Sequence, residues 1–274
     1  MTATFMPQHL PRAARDWAEI QERMLVPLYE AVYDRLEVGA HTRLLGLNCG
    51  SGLALLLAAG RGAQVTGVDT DADRLALARA RLLGEPQRGG RPHTVRLAHG
   101  GPTALVPDAG RGGHAGQAGG GPYNLVTAFD ARPRAATLAV AARHAERGSA
   151  VVLADWGPAE RCAAAPALRV AARLAQPPHH GACWQPRGRD DLENLARQAG
   201  LRPDGSGRVS CPFGYADLDS AVRGLLSTGF YAAAVRATDE VQVRKELSEA
   251  LYPHVRADGT VWLPNLFRYV IARV

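Results

Sequence analysis

The residues best placed to do chemistry lie between Thr42 and Leu83. Thr42 to Leu47 is a short apolar run that breaks into Asn48-Cys49-Gly50-Ser51-Gly52, and a second run, Gln64 to Val68, ends in Asp69. Glycines let backbone approach a ligand closely. The helix that follows offers free N–H groups at its start, and a carboxylate at the end of the second strand takes the two hydroxyls of a ribose. Asp69 follows Gly52 by 17 residues, within the usual range for such a site. A tight strand-to-helix turn with no ligand is the plainer reading of the glycines alone. Further along the chain, Asp130, Asp155, His179, His180 and His254 are candidates for a general base. His180, in a loop expected to reach the cleft, is the first choice, with Asp155 beside it. Trp17, Trp156, Trp184, Tyr215 and Tyr231 are candidate walls for a flat substrate, with core packing the alternative for each.

These groups need elements to hold them. Leu53 to Ala59 reads as a helix stopped by Gly60-Arg61-Gly62, and a second helix starts near Asp71 or Asp73 and runs to Leu83. Ala13 to Leu36 is one amphipathic helical stretch, with Trp17, Ile20, Met24, Leu28 and Val32 spaced by three and four. His93 to Ala98, Tyr123 to Phe129, Ala150 to Ala154, Leu201 to Pro212 and Thr260 to Val274 read as further strands. Ala135 to Arg147 reads as a helix stopped by Gly148, and Asp190 to Gly200 as another, with Gly200 just past its end. Three helices are expected between Asp217 and Leu251, forming a small cap. Strands alternating with helices predict an α/β fold, and ligands in such sheets sit beyond the carboxyl ends of the strands. Asn48, Asp69, Phe129, Asp130, Asp155 and Trp156 are therefore expected on one rim. Ala109 to Gly121 holds no apolar residue larger than alanine and cannot pack a core, so it reads as a surface insertion or a flap over the cleft.

Composition narrows the function. The 274 residues fit one domain with an insertion as well as they fit two domains. The charge is +6, with a pI near 9.5, yet no run of five Lys or Arg exists and nucleic acid is not an expected partner. No apolar run reaches 18 residues, so no membrane span is expected. Cys49, Cys162, Cys183 and Cys211 form no CxxC pair and read as reduced thiols in a cytoplasmic protein. His179-His180 lacks the carboxylate and spacing of a metal site, so no metal is expected. GxSxG and GxxxxGK[ST] are both absent.

Several segments together resemble the class I S-adenosylmethionine (SAM) dependent methyltransferases, in particular the small-molecule enzymes of high-GC actinobacteria. They are Trp17 to Tyr33, LLGLNCGSG, VTGVDTDADRLALARAR, YNLVTAFDA, VVLADWGPAERC, LENLARQAGLRP, CPFGYADLDSAVRGLLSTG and VWLPNLFRYVIARV. The resemblance implies a Rossmann-like, mostly parallel sheet of seven strands with an antiparallel last strand and helices on both faces. It implies an N-terminal helical cap over residues 1–40 and a catalytic domain over 41–274, with helical cap insertions at about 158–187 and 215–251. It also implies SAM as cofactor, contacted by Gly46, Asn48, Gly50, Gly52, Asp69, Thr70, Gly101 and Phe129. The sequence departs from the family pattern in three places. Gly46 stands where the family usually has an acid for the methionine end of SAM. Asn48 replaces a glycine, and asparagine is the residue best able to imitate glycine at positive φ. Gly101 stands where an acid is expected beside the adenine.

The leading expectation is a SAM-dependent methyltransferase acting on a small molecule in secondary metabolism. The alternative keeps the fold and abandons methyl transfer for a SAM-independent cyclisation or isomerisation. A non-catalytic scaffold is the third reading. Expected partners are a small-molecule substrate and at most a second copy of the chain.

Overall fold

The computed structural model describes residues 11–83, 94–105, 122–129, 134–175 and 188–274. The strands are β1 (Arg43–Leu47), β2 (Gln64–Asp69), β3 (Val95–His99), β4 (Tyr123–Ala128), β5 (Ala145–Trp156), β6 (Arg202–Ser210), β7 (Phe213–Tyr215), β8 (Val261–Leu263) and β9 (Leu266–Arg273). Seven of them form one sheet in the order β3-β2-β1-β4-β5-β9-β6. β9 pairs antiparallel with both β5 and β6, and the other pairings are parallel. The expected seven-stranded sheet with a reversed last strand is therefore present. The strand order turns back at β1 and β4, which is where open α/β sheets bind ligands.

Both faces of the sheet are covered, because the central strands are apolar on both sides. Leu44, Val152 and Ala154 point into one buried cluster, while Leu45, Val151 and Leu153 point into the other. The helices are α1 (Arg12–Asp16), α2 (Val26–Arg35), α3 (Leu53–Gly60), α4 (Ala72–Leu83), α5 (Ala135–Arg143), α6 (Ala165–Leu174), α7 (Asp191–Gln198), α8 (Leu218–Leu226), α9 (Ala232–Ala237) and α10 (Glu240–Leu251). α5 and α7 cover one face through Leu138, Ala141, Leu192 and Ala196. α2, α3, α6 and the trio α8–α10 contribute to the larger cluster on the other face.

Three elements differ in detail from their sequence expectation. Ala13 to Leu36 is the expected helical stretch, helical from Arg12 to Arg35, but its winding changes: α1 runs into a π-helical turn at Trp17–Gln21 and a 3₁₀ turn at Glu22–Leu25 before α2 begins. Pro27, in the first turn of α2, lacks the N–H that an uninterrupted helix needs, and its ring crowds the preceding turn. Gly148 does not stop α5, which ends at Arg143; it stands inside a β5 that starts at Ala145. Thr260 to Val274 is not one strand. Pro264 separates β8, which pairs with β7 in a small antiparallel sheet, from β9 in the main sheet. Asn265 fixes that corner, accepting from Ala164 N–H and donating to Leu263 carbonyl.

Candidate active site

The glycine turn after β1 has the expected backbone. Asn48, Gly50 and Gly52 all have positive φ, at +49°, +56° and +79°, so Asn48 does adopt the glycine-like conformation. Gly52 leads into α3, and Asp69 ends β2 alongside. Asp69 is buried, and both its oxygens already accept backbone hydrogen bonds. Gly50 N–H donates to Oδ2 at 2.7 Å and Asp71 N–H to Oδ1 at 2.8 Å.

Glu22, from the N-terminal segment, occupies the start of α3. Its carboxylate is 2% exposed. It accepts from the Ser51 hydroxyl, from Leu53 N–H at 3.3 Å and from Arg81 at 2.7 Å. Arg81 also donates to Ser51 carbonyl at 2.9 Å. A helix N-terminus favours an anion, and here the anion is a side chain of the same protein. Trp17 lies beside it. A β-carbon at Gly50 would stand 3.1 Å from Trp17 Nε1 and 3.3 Å from Glu22 Oε1. Trp17 is 5% exposed, its indole N–H has no hydrogen-bond partner among the described residues, and the Arg74 guanidinium stacks on its ring at 4.2 Å.

Two of the departures from the family pattern have different structural meanings. A β-carbon at Gly46 would meet Leu55 Cδ2 at 2.9 Å, so the fully buried Leu55 holds the volume an acid would need. A β-carbon at Gly101 would meet nothing within 4 Å among the described residues, and the position carries no acid. Thr70 is exposed at the rim, with His99 Nε2 3.0 Å from its carbonyl oxygen.

The other half of the rim, at β4 and β5, is aromatic. A cavity of about 30 Å³ lies among Trp17, Phe129, Asp155, Trp156, Phe213 and Phe230. Phe129 packs on Tyr29 at 4.8 Å, and Trp156 packs on Phe267 at 4.7 Å and Phe213 at 5.4 Å. Asp155 is buried, and its Oδ1 accepts from Trp156 N–H at 2.8 Å. Among the expected substrate residues, Trp17 and Trp156 line this chamber. Tyr215 does not: it packs in the core and its hydroxyl donates to Gln21 at 3.0 Å. Burial raises its phenol above the ordinary range. Tyr231 is also buried, its hydroxyl bonded to Ala167 carbonyl at 3.1 Å, but its ring reaches a second cavity. That cavity, about 470 Å³, lies between α1, the start of α4 and the cap helices α8–α10. Arg74 lines it and stacks on Trp17, which lines the aromatic chamber. Asp130, His179, His180, Trp184 and the 109–121 stretch lie outside the described residues. His254 is described, in a 3₁₀ turn after α10, and lines neither cavity.

Sequence reading missed Glu22, Arg81 and Arg74. Glu22 falls off the apolar stripe of its helix and reads as solvent-facing. Its partner Arg81 is 59 residues away, so no local signal joins them.

No family model matches the chain, and no curated protein matches it. Solved structures do. A SAM-dependent methyltransferase from Thiobacillus denitrificans, in complex with S-adenosyl-L-homocysteine, is similar at 18% identity over 98% of this chain and 99% of its own, with a TM-score of 0.54. The fold is that of the class I SAM-dependent methyltransferases. A second enzyme of this kind, from Geobacter sulfurreducens and also in complex with S-adenosyl-L-homocysteine, matches at 19% identity over 96% of this chain and 99% of its own, with a TM-score of 0.50. The [4+2]-cyclase SpnF matches at 14% identity over 90% of this chain and 80% of its own, again with a TM-score of 0.50. At these identities the likeness is one of fold. Among the described residues, no group of three His, Cys, Asp or Glu is arranged to hold a metal ion, and no helix is long and apolar enough to cross a membrane.

The fold raises the question of whether SAM fits this cleft. Three anchors answer it. The acid position on β1 is filled by Leu55 and the start of α3 is capped by Glu22, while Asp69, whose two oxygens each accept one backbone N–H, keeps lone pairs for ribose hydroxyls. With Trp17 also against Gly50, the end of the cleft that would take the methionine part of SAM is filled by the chain's own side chains in this arrangement.

Proposed function

We propose that this protein is a small-molecule enzyme that keeps the methyltransferase fold and has given up SAM as methyl donor. The observation that carries this reading is Glu22 bonded into the start of α3, with Trp17 against Gly50 beside it. The reaction class is a cyclisation or isomerisation, in which holding a flexible substrate in a reactive shape supplies much of the rate. The cap cavity of about 470 Å³ has the size of a small-molecule site. It combines apolar surface from Leu226, Ala232 and Val235 with charge from Asp16, Asp71 and Arg244. Asp155, which lines the aromatic chamber, is the proposed base: its carboxylate accepts from Trp156 N–H and shares the chamber with Phe129, Trp156 and Phe213. The chamber itself is too small for a substrate, so productive binding requires side chains such as the stacked Arg74 and Trp17 to move.

A second reading, SAM-dependent methyl transfer to a small molecule, is favoured by the intact positive-φ turn and by Asp69 at the end of β2. Calorimetric titration with SAM and with S-adenosylhomocysteine, using Asp69→Ala as control, separates the two. No binding at millimolar ligand is expected for the wild-type protein. Micromolar binding that Asp69→Ala removes would overturn the proposal in favour of methyl transfer.

A further inference from the structure

The polar contacts of the N-terminal segment do more than close a helix end. Trp17 and Glu22 together supply an aromatic ring and a carboxylate to the rim where a strand-end acid, a glycine turn and a helix start converge. Those are the three features that bind a nucleoside with an anionic tail. We propose that Trp17 and Glu22 are built-in occupants of a purine-nucleoside site, and that removing the indole re-opens it. This rests on the reading that the wild-type cleft does not take SAM, and names what has replaced it.

Three observations support it independently of the fold likeness. Glu22 makes the contacts expected of an anion at α3: Leu53 N–H, the Ser51 hydroxyl and Arg81. The ring of Trp17 is stacked by a guanidinium and faces Gly50, where a β-carbon would stand 3.1 Å from Nε1. Its N–H is buried without a partner among the described residues. A side chain selected for packing alone rarely buries an unpaired donor. The segment is also tied down on both sides of the indole. Asp16 is paired with Arg223 of α8, and Gln21 accepts from Tyr215. These ties hold the backbone when the ring is deleted, so the space is left in place rather than collapsed.

The test is binding of adenosine and of S-adenosylhomocysteine to Trp17→Ala and Trp17→Phe, read by calorimetry and by thermal shift. Trp17→Ala is expected to bind adenosine at least tenfold more tightly than the wild-type protein. Trp17→Phe keeps the ring and is expected to behave as wild type. Adding Asp69→Asn to Trp17→Ala is expected to remove the gain, because Asp69 lies where ribose hydroxyls would sit. Trp17→Leu, which keeps more buried apolar surface, replaces Trp17→Ala if circular dichroism shows that variant unfolded. A folded Trp17→Ala or Trp17→Leu protein that binds adenosine no better than wild type overturns the proposal and leaves the function proposed above untouched. Equal gains in Trp17→Phe and Trp17→Ala also overturn it. Micromolar binding of S-adenosylhomocysteine by the wild-type protein overturns both.

Discussion

The two halves of the ligand rim solve the same problem in opposite ways. At β1 and β2 the carboxyl ends of the strands are filled by polar groups of the chain itself: Glu22, Ser51, Arg81 and Asp69 satisfy one another and the surrounding backbone. At β4 and β5 the rim is a set of rings, Phe129, Trp156, Phe213 and Phe267, around a cavity of about 30 Å³. The first half depends on directional bonds made by charges almost removed from water. The second depends on ring packing that tolerates changes of shape. Low dielectric makes the polar half costly to disturb, because a buried charge that loses its partner keeps its full desolvation penalty.

The largest effect is therefore expected at Glu22. Glu22→Ala leaves Arg81 facing the start of α3 without its carboxylate and is expected to cost about 3–5 kcal/mol in urea unfolding. The double variant with Arg81→Leu is expected to cost much less than the sum of the singles, because the two residues act as one unit. Additive costs would break the contrast between the halves.

Asp69→Asn is expected to cost about 1–3 kcal/mol, since an amide keeps one acceptor oxygen for two backbone donors. On the aromatic side, Trp156→Phe is expected to cost about 1 kcal/mol, because a ring remains to pack on Phe213 and Phe267. A larger cost for Trp156→Phe than for Asp69→Asn, measured under the same conditions, would reverse the assignment of which half holds the fold.

Cys49 sharpens the same contrast. Burial pushes its thiol well above the ordinary range, and the charges of Asp69 and Glu22 add to the rise. Burial likewise raises Cys211, to about 12, and Cys162. Iodoacetamide at pH 8 is expected to leave all three unmodified in the folded protein, as mass spectrometry of the digested protein would show. Labelling of Cys49 in Trp17→Ala but not in wild type would mark the indole as its cover.

The smallest effect concerns acid. Asp217 is lowered by accepting from Ser220 N–H at the start of α8, and Asp204 is lowered by its bond with Arg273. A carboxylate lowered in the folded state adds stability above its unfolded pKa of about 3.9 and loses it as pH falls through the folded value. Urea midpoints are therefore expected to fall as pH drops below about 4. Asp217→Asn, which still caps the helix, is expected to flatten that slope.

The sequence alone determined the alternation of strands and helices, because periodicity and turn chemistry are local, and the seven-stranded sheet with its reversed last strand was what the family resemblance implied. The glycine turn, the strand-end acid at Asp69 and the helices after Asp217 and Asp239 are written in adjacent residues, as is the end of α7 at Gly200. Asn48 at φ +49° followed from what asparagine tolerates. Local reading failed where one residue redirects the chain. Pro27 changed the winding of the N-terminal helical stretch without ending it, and Pro264 split the last strand between two sheets. Only the tertiary structure decided the site. Nothing near Gly46 in the chain says that Leu55 fills its acid position, and nothing near Glu22 says that Arg81 and Ser51 will hold it beneath α3. Those contacts join segments far apart in sequence, and burial, which makes them strong, is a property of the folded molecule rather than of any stretch of it.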